Sequence, residues 1–100
     1  MTERELQQLI DRVSDRFEQV SGFRVLQRAR KALLVPALPH LDDVRRELDR
    51  RTITVQSLEG LMQQILNNTL DDIQQRHIDY IDERAIERSM ARYCPYLFWC

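Results

Sequence analysis

Four side chains in this chain could bind a transition metal, namely Cys94, Cys100, His40 and His77. A zinc site takes four ligands, which usually arrive as closely spaced pairs. Here five residues separate the two cysteines, and each histidine stands alone in the sequence. We therefore predict no metal and no cofactor. Two interpretations of the cysteines stay open: a pair of reduced thiols, or a disulfide closing a short C-terminal loop. The thiols are favoured because no secretion signal precedes them.

Acidic side chains are frequent after residue 70, and a pair of them would be needed for acid–base catalysis. They are spread around a predicted helix and do not converge, so we interpret them as a solvent-facing surface. The chain has no Gly-rich phosphate loop, no nucleophile elbow and no His-Glu-x-x-His motif. No Glu-x-x-His pair supports a di-iron bundle. The sequence predicts no enzymatic activity. The acidic residues that we interpret as this solvent-facing surface are Asp71, Asp72, Asp79, Asp82, Glu83 and Glu87.

Basic side chains at Arg24, Arg28 and Lys31, extended by Arg30, would line one side of a short helix. Such a face could contact phosphates or an acidic partner. The net charge of the chain is only −1. A few cationic side chains on one helix are usually hydrated by solvent and bind no partner. A nucleic-acid-associated regulator, or a small subunit of a nucleoprotein complex, is therefore the alternative function.

The last eight residues, 93–100, contain no charged side chain and four of the seven aromatic residues. Tyr and Trp are enriched in the energetic centres of protein interfaces, and Pro95 ends the preceding helix. We predict an extended tail that docks on a protein partner, although it could instead fold back and complete a thin core. No basic cluster adjoins it, so we expect no membrane binding. The predicted partner-binding residues are Ile86, Met90, Tyr93, Tyr96, Leu97, Phe98 and Trp99.

The composition predicts an all-α protein. One hundred residues with only two glycines and three prolines suit a single small bundle of four to five helices. We expect a helical domain over residues 1–92 and the tail over residues 93–100. Residues 51–55 give the single short strand-like pattern. No apolar run reaches the roughly 20 residues that span a bilayer, and no signal peptide is evident, so we expect a cytoplasmic protein.

The first helix is predicted from a capping box, in which Thr2 and Glu5 each satisfy a backbone donor of the other. Gly22 should end this helix in a left-handed conformation. Between them, apolar residues recur every three or four positions and form one stripe. They are Leu6, Leu9, Ile10, Val13, Phe17 and Val20.

Two shorter helices are predicted next. The first covers residues 23–34 and is ended by Pro36 and Pro39, with residues 35–40 forming a loop that Leu38 anchors. The second covers residues 41–51, with Val44 at the centre of its apolar face.

Residues 55–92 carry a helical pattern throughout, which would form one very long helix. Near residues 67–69 the apolar face of this helix shifts by roughly 100° around the helix axis. The shift indicates either a break in the helix there or a change of the neighbour that it packs against. His77 lies at the centre of the second stripe, so we expect it to be a hydrogen-bonded core or interface residue.

The helix carries apolar residues on two sides, and so short a chain has little core in which to bury them. We therefore predict a protein-interaction module that forms a homo-oligomer, most simply a dimer. Such a module could be an adaptor, a specialised chaperone, an antiactivator or a small structural subunit.

Overall fold

A computed structural model of the chain describes residues 1–92, which are mostly α-helical with one very small parallel sheet. The prediction of a small helical bundle is confirmed at this level, whereas the predicted tail lies outside the described residues. The elements are α1 (Glu3–Ser21), β1 (Arg24–Val25), α2 (Gln27–Leu34), a 3₁₀ helix (Val35–His40), α3 (Leu41–Asp49), α4 (Val55–Gln75), β2 (Tyr80–Ile81) and α5 (Glu83–Arg92).

The fold repeats one plan, because α1–β1–α2 and α4–β2–α5 are built alike. Each long helix begins at a threonine capping box, Thr2 for α1 and Thr54 for α4. Each is followed by a residue in the left-handed conformation, Gly22 with φ 79° and His77 with φ 57°. A strand of two residues and a short helix then follow.

The two strands pair in parallel, with Arg24 opposite Tyr80 and Val25 opposite Ile81. Alternate side chains of a strand point to opposite faces, so Val25 and Ile81 enter the core while Arg24 and Tyr80 face outward. The prediction that a helix starts at residue 23 is therefore wrong, because residues 24–25 are extended and paired. The strand-like pattern noted at residues 51–55 does not form a strand.

Helix α4 is continuous through residues 67–69, so of the two alternatives left open at this place the break is wrong. Thr69 is fully buried and its hydroxyl donates to the carbonyl of Leu66 at 2.6 Å, inside the uninterrupted helix. The stripe changes direction because the neighbour changes. Helix α1 reaches α4 near Glu59, and α5 packs along α4 from Ile65 to Asp72.

The long helical pattern of residues 55–92 is instead interrupted after Gln75. His77 occupies the left-handed position of the turn and is exposed, so the core alternative for it is wrong, and the interface alternative stays a prediction. The predicted loop at residues 35–40 is a 3₁₀ helix in which Ala37 is fully buried, while Leu38 packs partly against the core as expected.

The core is formed within a single copy of the chain. The apolar side chains of α1 are buried from Leu6 to Phe17, but Val20 is 85% exposed and does not belong to the stripe. On α4 both predicted faces are covered, and Leu58, Ile65 and Ile73 are all at most 1% exposed. Across residues 1–92, no helix has both the length and the apolar character needed to cross a bilayer.

Candidate functional site

A mostly apolar groove lies between α2 and α5 on the described surface. Strands β1 and β2 are paired and each leads directly into one of these helices, so the two helices begin side by side. The groove has a volume of about 400 Å³. We call it the α2–α5 groove. It is lined by Arg28, Lys31, Ala32, Val35, Pro36, Glu83, Glu87 and Met90.

The lining of the groove is largely apolar, through Ala32, Val35, Pro36 and Met90. Val35 is 58% exposed, which is high for a large aliphatic side chain. It directly follows α2, and the turn into the 3₁₀ helix holds it at the groove instead of in the core. An exposed aliphatic residue in a concave, mostly apolar site is typical of a binding surface.

The two walls of the groove carry opposite charges. Helix α2 contributes Arg28 and Lys31, and α5 contributes Glu83 and Glu87. Arg28 Nε and Glu83 Oε2 lie 3.0 Å apart and bridge the walls. Glu83 Oε2 is shielded from solvent but accepts no hydrogen bond of good geometry, so the contact is an ion pair only. Lys31 and Glu87 lie about one helical turn further along their helices.

The groove brings together residues that the sequence placed on two separate surfaces. Arg28 and Lys31 were candidates for phosphate contact and Met90 for partner binding, and all three line the groove. Arg24 is exposed on β1 and is not part of the lining.

The remaining predicted contact residues are not on the described surface. Ile86 is fully buried in the core of the chain, so a partner could reach it only if α5 moved. The other residues of the predicted partner surface, and both cysteines, lie outside the described residues. They are Tyr93, Cys94, Tyr96, Leu97, Phe98, Trp99 and Cys100.

Asp72 was predicted to face solvent, and this is wrong, because the residue is only 7% exposed. Its carboxylate accepts from Arg76 Nε at 3.1 Å and from Arg88 Nε at 2.8 Å. Burial raises the pKa of Asp72, but the two guanidinium groups more than offset this and the net pKa is lowered. Asp82 also has a structural role, since its Oδ1 accepts from the backbone N–H of Ala85 at 3.0 Å in the first turn of α5.

The sequence suggested that Arg30 extends the basic face of α2. In the structure it points into the protein instead and is 8% exposed. Its guanidinium forms ion pairs with Asp11 at 3.1 Å, Asp15 at 2.9 Å and Glu18 at 3.4 Å. Burial lowers the pKa of Arg30, yet these carboxylates raise it overall. The acidic spacing along α1 was the signal that could have predicted this cluster.

Arg30 also fixes the strand that positions the groove. Its Nε donates to the carbonyl of Val25 at 3.2 Å, while Glu18 accepts from the Val25 N–H at 2.8 Å. Both backbone groups of Val25 are therefore held by this cluster. The start of α2 is fixed in this way against α1.

A search of the described side chains found no group of three or more histidine, cysteine, aspartate or glutamate residues arranged to hold a metal ion. Comparisons with models of known protein families, with characterised proteins and with solved structures found no match to this chain.

Proposed function

We propose that this chain is a small protein-interaction module, acting as an adaptor, specialised chaperone, antiactivator or small structural subunit. In this proposal the α2–α5 groove binds a segment of a protein partner. The observation that carries the proposal is the apolar lining, with Val35 58% exposed, between a basic and an acidic wall.

The groove favours a partner segment with apolar anchor residues flanked by charges of both signs. A volume of about 400 Å³ accepts a few side chains, and anchors packed against Val35 and Met90 would provide most of the affinity. An acidic residue of the partner would face Lys31, and a basic residue would face Glu87. These rim charges would set the orientation of the segment and the rate of association.

The charges of the groove favour a protein over a nucleic acid. Arg28 is already paired with Glu83, and Glu87 adds a second negative charge beside Lys31. Phosphates would be repelled by the acidic wall. The alternative function through Arg24, Arg28 and Lys31 predicts DNA or RNA binding that weakens steeply with salt, and an electrophoretic titration at two salt concentrations tests it.

Self-association is a further part of the proposal, and it depends on residues 93–100. The apolar faces of α4 do not require a second copy, because α1 and α5 cover them. Sedimentation of the full chain at micromolar concentration tests the dimer.

Selection from a displayed random-peptide library, using the full chain as bait, tests the groove. We expect the selected peptides to share apolar anchors. Their affinity, measured by fluorescence anisotropy, should fall by at least about tenfold for Val35→Asp. Val20→Asp is the matched control, because Val20 is also exposed and also lies at the end of a helix. The proposal fails if no common motif emerges, or if the selected peptides bind both variants equally.

A further inference from the structure

We infer that residues 93–100, the C-terminal segment, bind in the α2–α5 groove of the same chain and that a partner segment has to displace them. This inference rests on the proposed function, since it names the competitor at the same site. It concerns regulation of the groove by a segment that directly follows one of its walls.

The position of the groove makes this segment its nearest ligand. Helix α5 contributes Glu83, Glu87 and Met90 to the lining and ends at Arg92. The helix from Glu83 to Arg92 has ten residues and is about 15 Å long. A fully extended run over residues 96–100 spans about 16 Å. A reversal of the chain at Pro95 therefore lets these residues run back along the whole groove.

The chemistry of the segment matches the lining. Residues 93–100 have no charged side chain and contain Leu97 and four aromatic side chains. Aromatic rings pack favourably against the methionine sulfur of Met90. They also interact with cations such as Lys31 through the ring face. A segment without charged side chains leaves the Arg28–Glu83 ion pair intact.

The attachment of the segment favours its own groove over that of a second copy. A short tether gives an effective concentration in the millimolar range. A second copy at micromolar concentration supplies the same segment at a concentration about a thousandfold lower than the tether does. Exchange of tails between two copies is the competing arrangement, and it would appear as a concentration-dependent dimer.

Trp99 allows a direct test, because it is the sole tryptophan of the chain. In the full chain we expect its fluorescence emission to be blue-shifted relative to the unfolded protein and to be protected from acrylamide. Val35→Asp should shift the emission to the red and raise the quenching constant severalfold, while Val20→Asp should change neither. Circular dichroism of both variants verifies that the helices are retained.

Three results would overturn the inference. The first is a solvent-exposed Trp99 in the unmodified chain, and the second is an emission that Val35→Asp leaves unchanged. The third is a blue shift that disappears on dilution together with a dimer seen by sedimentation, which would establish exchange between copies.

The competition is tested separately with Phe98→Ala, which weakens the segment but leaves the lining of the groove unchanged. Selected peptides should bind this variant severalfold more tightly than the unmodified chain. Equal affinities would overturn the displacement, although peptide binding itself would still support the proposed function. If Trp99 is protected in a Val35-dependent way but no peptide binds even Phe98→Ala, the proposed function fails and the intramolecular contact stands.

Discussion

Arg88 of α5 donates from its Nε to Oδ2 of Asp72 in α4 at 2.8 Å, and this contact fixes one wall of the groove to the centre of the bundle. The next residue strengthens the connection, since the Ser89 hydroxyl donates to the carbonyl of Ile65 at 2.9 Å. Ser89 is 3% exposed, so this bond is made inside the core. Two successive residues of α5 thus hold the helix in place on α4.

Replacement of Asp72 should lower stability and change its dependence on pH. Because the folded-state pKa of Asp72 is lowered from about 3.8, its contribution is fully present above that value and is lost as the pH falls through the folded-state pKa. We expect Asp72→Asn to reduce the free energy of unfolding by about 1–3 kcal/mol at neutral pH. The difference should shrink below about pH 4. Urea titrations at several pH values measure both effects.

Asp71→Asn is the control for Asp72→Asn, because Asp71 is an exposed neighbour and its replacement should change stability little. Equal behaviour of the two variants would contradict the structural role of Asp72.

Removal of Arg30 should destabilise the chain more than removal of an exposed arginine. Arg30→Met leaves three partly exposed carboxylates without their shared cation and removes the bond to the Val25 carbonyl, and we expect a loss of about 1–3 kcal/mol. Arg30→Lys retains the charge but not the planar donor group, so it should recover only part of the loss. Chemical denaturation measures both variants. Arg45→Met, on the exposed surface of α3, is the control and should change stability by less than about 0.5 kcal/mol.

Two buried serines should respond in opposite directions to alanine. Ser14 is fully buried and its hydroxyl has no hydrogen-bond partner. Ser14→Ala should therefore raise the free energy of unfolding by about 0.5–1.5 kcal/mol, helped by the better helix propensity of alanine. Ser89→Ala removes the bond to Ile65 and should lower it by about 1 kcal/mol. A loss of stability in both variants would mean that Ser14 has a role that its surroundings do not show.

The left-handed residues that follow the two long helices, Gly22 and His77, should also differ in their response. His77 has φ 57°, a conformation that side chains with a Cβ adopt at an energetic cost. His77→Gly should raise the melting temperature, by an amount corresponding to about 0.5–1 kcal/mol. Gly22→Ala should lower it, because Gly22 has φ 79° although space for a Cβ is open there. Opposite signs in thermal denaturation are the expected result, and a destabilised His77→Gly variant would contradict it.

The sequence predicted helix α1 well because every signal for it is local. The capping box of Thr2 and Glu5, the apolar stripe and Gly22 all lie within one segment and act through short-range contacts. Within its apolar stripe only Val20, in the last turn of α1, was misplaced, because it is exposed to solvent. In residues 55–92, by contrast, the change of stripe direction reflected two neighbours on one helix, and periodicity does not distinguish this from a break.

The groove was predictable only in its parts. Spacing placed Arg28 and Lys31 on one face of a helix, and Met90 on the apolar face of another. Glu87 was interpreted as solvent-facing, and Val35 as part of a loop. Their meeting depends on the pairing of residues 24–25 with residues 80–81, and strands of two residues are too short to leave a pattern in the sequence.

The pairing of residues 24–25 with residues 80–81 also affects how the chain folds. During synthesis, α1 is followed directly by β1 and α2, which pack against it, but it leaves the ribosome long before α4, which covers the rest of its apolar side. Contacts between distant parts of a chain slow folding, because the intervening loop must close first. Until α4 has been translated, the part of α1 that packs on α4 stays exposed to solvent, and in that interval the amino-terminal half is open to aggregation and to chaperone binding.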